Sequence, residues 1–276
     1  MIESSTFWLR VAACLYAVGL LHSLLTAVRQ SVRHGHSVFG IAMGAFRIAV
    51  VLHAVAIAEL ARASGRIPID NFYQTLSLCA FLTAAVFVVL ERRYRLSSVS
   101  VALFPLVFAM TLAGALEQPV VSPASEGMRD AWLVVHILLV LAGYAALLFT
   151  ALAAGAYLVQ ERRLKSKQPS ALLERLPPLG TLDAMLSKSL GLGFAFLTLG
   201  LVIGILWAFL YLKTNWISDP SITISVFTWL LLLLMMFLRA SAGWRGRKVA
   251  VMSLAVLGCS ALTWVTHAGL GATLAP

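Results

Sequence analysis

"HILLVLAGYAALLFTALAAGAYLVQERRLK" (His136–Lys165) decides the architecture of this chain. From Ile137 to Gln160 no side chain carries a charge, and Glu161, Arg162, Arg163 and Lys165 then follow in close order. With the residues just upstream, the apolar stretch runs Ala131–Val159. A helix needs about 20 such residues to cross a bilayer. The apolar residues follow one another without two-residue alternation, which predicts a helix and argues against a membrane β-barrel.

Seven further stretches have the same character: Phe7–Val28, Phe39–Ala61, Phe72–Leu90, Val99–Leu116, Ser189–Leu212, Ile222–Leu238 and Val249–His267. Ile222–Leu238 is the shortest, with its core in "VFTWLLLLLMMFL" (Val226–Leu238). The expected fold is therefore an all-α, polytopic membrane helix bundle with eight transmembrane helices, forming one integral membrane domain over residues 1–276. Composition agrees: 61% of the residues are hydrophobic and 12% charged, against about a quarter charged in soluble domains. That balance excludes an ordinary cytosolic enzyme, a disordered protein and a fibrous repeat. Glu3 and the lack of a basic leader argue against a cleaved signal peptide, so the first span is expected to be retained. Cys14, Cys79 and Cys259 each stand alone in an apolar stretch and read as small core residues rather than a disulfide or metal set.

The excess of ten positive charges fixes an orientation. Of the 21 Lys and Arg residues, 15 fall in the loops after spans one, three, five and seven, where they include Arg29, Arg92, Arg162 and Arg245. The alternate loops hold Arg62, Arg66, Arg129 and Lys213, and Arg10 and Arg47 lie inside spans. Cytoplasmic loops collect cations. The odd-numbered loops are thus expected in the cytoplasm of a bacterial inner (plasma) membrane protein, with both termini outside, and no nucleic-acid partner is needed to explain the charge. Residues 160–188 form the longest connection, a basic cytoplasmic loop. In it Pro177 and Pro178 precede "TLDAMLSK", which reads as a short amphipathic segment on the membrane surface. The loop suits contact with anionic lipid or with a cytoplasmic partner.

Ionisable groups inside a bilayer cost roughly 2.5–3.5 kcal/mol each on insertion scales, so each needs a reason. His53 sits about 12 Å from the outer end of its span at the helical rise, His136 about one and a half turns inside span five, and His267 at the outer end of span eight. His22 lies in the inner half of span one, and His34 and His36 in a cytoplasmic loop. Three histidines on three helices in one leaflet is what a haem site requires, with imidazole on the iron and apolar or aromatic side chains about the ring. An imidazole hydrogen-bonded to a neighbouring helix is the other explanation for each. Glu59 and Asp219 are the only nearby carboxylates, which makes a zinc or divalent-ion site less natural. Gly193, Gly200 and Gly204 fall on one face of span six, suited to close helix packing or to the plane of a porphyrin. Trp207 and Trp216 flank the outer end of that helix.

Several segments resemble the cytochrome c assembly family, the haem-handling CcsA/CcmC-type membrane proteins, and most closely its HemX-like and YpjD-like branch. "DNFYQTLSL" (Asp70–Leu78) is similar to the family's Asn–x–Tyr–Glu–Ser–Leu segment, with Gln74 in place of Glu. The His136–Lys165 stretch has the family's histidine, its Gly143–Tyr144 pair and its basic exit. "LPPLGTLDAMLSKSLGLGFAFLTLGLVIGILWA" (Leu176–Ala208) and "GWRGRKVA" (Gly243–Ala250) resemble the family's later segments. The Trp-rich outer loop of classical members is reduced here to Trp216, Asp219 and Pro220.

The resemblance implies a haem-handling protein of cytochrome c biogenesis that holds a b-type haem in the outer half of the bilayer. It implies axial ligation by His136 with His53 or His267, with Trp207, Trp216, Asp219 and Tyr144 near the ring and Arg62 or Arg129 on the propionates. It implies binding rather than chemistry on a substrate, with other cytochrome c maturation proteins or apocytochrome as partners. The HemX-like and YpjD-like branch implies an alternative, a non-enzymatic regulator of haem biosynthesis or an accessory of a cation transport system. A secondary transporter fits less well, because no paired halves or broken helices stand out. A pigment or quinone would suit the same helices.

Overall fold

The computed structural model describes residues 2–29, 35–69, 71–94, 99–116, 131–166, 176–212 and 220–273. Its helices are α1 (Ile2–Arg29), α2 (Gly35–Ser64), α3 (Phe72–Tyr94), α4 (Ser100–Leu116), α5 (Ala131–Ser166), α6 (Leu179–Trp207), α7 (Pro220–Ser241) and α8 (Arg247–Thr273). A π-helical turn, Ala208–Leu212, continues α6. No strand occurs among the described residues, so the all-α expectation holds. Among the described residues six helices are long and apolar enough to cross a membrane: α1, α2, α3, α5, α6 and α7. The apolar α4, at 17 residues, is shorter.

The chain divides into two compact units. Unit 1 comprises Met1–Ser122 with Gln160–Pro178, and unit 2 comprises Pro123–Val159 with Leu179–Pro276.

Unit 1 is built on aromatic packing. Phe46 stacks on Phe104 at 4.3 Å between ring centroids and meets Tyr16 at 5.0 Å and Phe87 edge-on at 5.7 Å. All four rings are fully buried, a geometry in which aromatic pairs gain beyond their buried area. Helix α1 packs on α2 and α4, and α3 on α4. The α2–α3 connection is set locally. Gly65 takes φ +67°, and the Arg66 amide closes onto the Ala61 carbonyl at 3.1 Å, a left-handed helix stop that glycine permits without strain. Asn71 then caps α3, its Oδ1 accepting from the Gln74 amide at 2.8 Å.

The two cations inside predicted spans find partners within unit 1. Arg10 donates to the Ala115 carbonyl at 3.3 Å, and Arg47 pairs with Glu91 at 2.9 Å.

Unit 2 packs Leu147, Ala153 and Ala154 of α5 with Leu186 and Leu190 of α6, Leu232 and Met235 of α7, and Val249, Ala250 and Val256 of α8. Polar links accompany this core: Thr150 donates to Ser189 at 2.9 Å, and the Trp229 indole donates to Thr198 at 2.9 Å. At the end where α6 begins, Arg239 grips Asp183 through both terminal nitrogens at 3.4 and 3.0 Å and donates to Ser187 at 3.0 Å. The Gly246 amide donates to the same carboxylate at 3.2 Å.

Two expectations change here. "TLDAMLSK" is not a separate surface segment: α6 begins at Leu179, directly after Pro178, and runs unbroken to Trp207. Proline suits the start of a helix, where its missing N–H costs nothing. With α5 continuing to Ser166, the span between the two helices shortens to residues 167–178. Of the three cysteines, Cys79 is buried, but Cys14 is exposed and Cys259 partly so. All three are free thiols.

Candidate functional site

His136 stands in the second turn of α5, half-buried against α6. Its Nδ1 lies 2.7 Å from the carbonyl oxygen of Gly200. A carbonyl only accepts, so Nδ1 holds the proton, and in the neutral ring Nε2 holds the lone pair. A ligating imidazole is commonly arranged this way, with one nitrogen anchored to backbone and the other directed at a metal.

The glycine face of α6 makes that position available. A Cβ at Gly204 would lie 2.5 Å from His136 Cε1 and 2.7 Å from its Nδ1, and a Cβ at Gly200 would meet Val140 at 2.9 Å. Gly193 faces Leu147 and the Gly143 carbonyl, and on α5 a Cβ at Gly143 would meet Leu197 at 2.5 Å. The stripe of small residues therefore lies against α5, not against a ligand plane, and its last member receives the imidazole ring itself. Packing of small residues is how helices approach closely within a bilayer.

The other predicted residues of unit 2 lie as follows. Trp207 ends α6 one turn beyond Gly204 and is partly buried, just before the π-helical turn. Such turns recur at functional sites. Tyr144 lies two turns deeper than His136 and packs against the unit 2 core. His267 lies on α8, where the helix but not the side chain is described. Trp216, Asp219 and Arg129 lie outside the described residues.

His53 belongs to unit 1 and is fully buried. Its Nε2 is 2.9 Å from the Ser77 hydroxyl, and Nδ1 has no hydrogen-bond partner among the described residues. Tyr16 and Phe81 close the sides, with ring centroids at 6.0 and 5.6 Å. Ser77 also lines a cavity of about 40 Å³ together with Ser5, Thr6, Asn71, Gln74 and Gly114. That volume is far smaller than a porphyrin. Arg62 is exposed in the last turn of α2. His22, on α1, is partly buried.

Among the described residues no group of three or more His, Cys, Asp or Glu side chains is arranged to hold a metal ion. The donors present are single imidazoles, which suit an iron whose equatorial ligands come with its own macrocycle. Sequence reasoning located both histidines. It named Gly200 without its contact to His136, and it missed Ser77, the partner of His53. A backbone carbonyl carries no residue signature, and a serine in an apolar helix is common.

Comparison with known proteins places these observations in context. The family model described as "Cytochrome C assembly protein" matches residues 48–266. The chain is 26% identical over 255 residues to the cytochrome c biogenesis protein CcsA of Microcystis aeruginosa, covering 75% of this chain and 77% of the relative. It is 28% identical over 242 residues to CcsA of Chlorella vulgaris, covering 75% of each chain. To CcsA of Pyropia yezoensis it is 26% identical over 248 residues, covering 75% of this chain and 76% of the relative.

Proposed function

The chain belongs to the cytochrome c assembly protein family, and on that basis we propose that it handles haem in cytochrome c biogenesis as an integral membrane protein. The observation that supports a site at the start of α5 is the anchored tautomer of His136, with Nδ1 on the Gly200 carbonyl and the lone pair at Nε2.

When bound, haem would supply an iron that takes imidazole nitrogen as ligand. His136 is one such ligand in this reading. His267, also of unit 2, is the preferred second. His53 is the weaker candidate, since its Nε2 is engaged by Ser77 and the cavity beside it is small. Trp207 and Trp216 pack near the ring, Asp219 lies in the same outer loop, and Arg62 or Arg129 neutralises propionates. Tyr144 supports the helix face beneath His136. The chain holds haem of the b type and performs no covalent step alone. Thioether formation requires a partner that presents the cysteines of an apocytochrome.

The topology proposed with this site has eight spans, both termini outside and the basic loops in the cytoplasm of a bacterial inner membrane. The site then lies in the outer half of the bilayer. Protein expressed with ample haem and purified should show a Soret band that His136→Ala weakens. A wild-type protein that stays colourless at full haem supply overturns the proposal.

A second reading is favoured by the short outer loop around Trp216, Asp219 and Pro220 and by the cations after α5. In it the chain is a non-enzymatic regulator or accessory protein, in the manner of the HemX-like and YpjD-like branch, docking a cytoplasmic partner through residues 160–188. Arg162 and Lys165 are exposed there, and the pair of Lys165 with Glu161 at 2.8 Å is a surface ion pair that contributes little. Charge reversal of Arg162, Arg163, Lys165 and Lys167 together should abolish capture of such a partner. Unchanged capture with intact haem binding removes this second reading.

A further inference from the structure

The segment Asn71–Ser77 is one of those that carry the family resemblance, yet nothing in the haem reading uses it. Its side chains converge on the cavity of unit 1. Asn71 caps α3 and lines the cavity, Gln74 follows at the third position of the helix, and Ser77 lies one turn further in. Ser5 and Thr6 of α1 and Gly114 of α4 complete its polar and open sides. Among the described residues none that lines it is charged, which disfavours a phosphate, a propionate or a cation as occupant. The lining offers hydroxyl and amide groups that both donate and accept.

Close to this wall are buried polar atoms with no hydrogen-bond partner among the described residues. Ser77 lines the cavity, and its hydroxyl is 2.9 Å from His53 Nε2. His53 is completely buried, and its Nδ1 has no partner among the described residues. The same holds for the Tyr16 hydroxyl, whose ring centroid is 6.0 Å from that of His53, and for Thr111 Oγ1, one turn along α4 from Gly114. Buried polar atoms are nearly always paired with protein or with ordered water. A cavity of about 40 Å³ accommodates roughly three water molecules, at about 10–15 Å³ each.

We propose that this cavity is a hydration site, in which ordered water is bound by Asn71, Gln74 and Ser77 and continues past Ser77 to His53 and Tyr16. The water supplies the missing partner of the imidazole and connects it to the aqueous phase at the end of unit 1 where α1 begins and α2 ends. Its ligand class is thus water, or a neutral molecule of comparable size. The site shares with the haem reading only His53, the weaker ligand there, and its tests do not read haem.

Substituted-cysteine labelling tests it. In full-length protein in membranes, with Cys14, Cys79 and Cys259 replaced by Ala, single cysteines are introduced as Ser77→Cys and Gln74→Cys. A third protein keeps only the native Cys79. A small water-soluble methanethiosulfonate reacts with hydrated thiolate and not with a dry buried thiol. Both introduced cysteines should be modified at least tenfold faster than Cys79, which is 1% exposed and two residues beyond Ser77. Modification of Ser77→Cys as slow as that of Cys79 overturns the proposal. Unsubstituted protein labelled with ¹⁵N-histidine gives a second readout that needs no folding of a cysteine variant. Magnetisation should pass from water to a ring nitrogen assigned to His53 by its loss in His53→Gln. A His53 signal that receives none overturns the proposal equally, whatever the Soret band shows.

Discussion

The imidazole of His136 donates through Nδ1 to the carbonyl of Gly200 at 2.7 Å, across the contact between α5 and α6. Gly204 lies one turn further along α6 and leaves the space that the ring fills, so a Cβ there would stand 2.5 Å from His136 Cε1. Two glycines thus divide the work on one histidine: the first fixes its tautomer and the second admits its ring.

Gly204→Ala should therefore displace the imidazole without removing it. The expected result is a Soret band shifted or reduced several-fold in haem-loaded protein, with a changed band shape after reduction. Gly193→Ala is the matched control, because its Cβ would meet Leu147 at 3.2 Å and not the histidine. Equal losses in the two variants would reduce Gly204 to a general packing residue.

The helices were legible because length and apolarity are local properties of a segment, and six of those among the described residues are long and apolar enough to cross a membrane. His136, Gly200 and Gly204 were legible separately, but their meeting depends on the register between α5 and α6, which no local pattern encodes. Arg10 and Arg47 stood out as cations within apolar runs. Their partners, the Ala115 carbonyl and Glu91, lie 105 and 44 residues away. "TLDAMLSK" misled for a related reason. Its charged residues suggested an interface, whereas Asp183 is held by Arg239 from another helix. Trp216 and Asp219, read from the outer loop, lie outside the described residues.

Asp183 joins two of the segments that carry the family resemblance, since it accepts from Arg239 and from the Gly246 amide of the "GWRGRKVA" turn. Both side chains are mostly buried, at 14% and 22% exposure. Losing one partner leaves the other desolvated and unpaired, at about 1–3 kcal/mol. Arg239→Ala should lower the unfolding temperature in detergent by several degrees, and Arg239→Lys by less, because Lys keeps the charge although it lacks the planar fork. No change in Arg239→Ala would show that the pair adds nothing to stability.

The α7–α8 turn separates two costs of adding a side chain. Gly243 and Gly246 have φ of +63° and +65°, where an L residue pays about 1–2 kcal/mol. A Cβ at Gly243 meets nothing within 4 Å, whereas one at Gly246 would stand 2.6 Å from the Tyr157 hydroxyl. Gly246→Ala should thus destabilise more than Gly243→Ala, and adding Tyr157→Phe should recover part of the difference. Equal unfolding temperatures for the two single variants would show that Tyr157 yields freely.

Asn71 offers a last test, one that distinguishes a cap from a ligand-binding group. Its Oδ1 accepts from the Gln74 amide at 2.8 Å, and its own carbonyl accepts from the Thr75 amide at 3.1 Å and the Thr75 hydroxyl at 2.9 Å. The first four amides of a helix lack intrahelical partners, and truncating an Asn cap costs about 0.5–2 kcal/mol. Asn71→Ala should therefore lower stability by roughly 1 kcal/mol, while Asn71→Asp and Asn71→Ser should stay close to wild type, since both still cap. Thermal unfolding of the three variants measures the cap alone. If Asn71→Asp is as unstable as Asn71→Ala, the amide of Asn71 matters beyond the oxygen it gives to α3. Its place on the wall of the unit 1 cavity, where a carboxylate would introduce the first charge, becomes the reason.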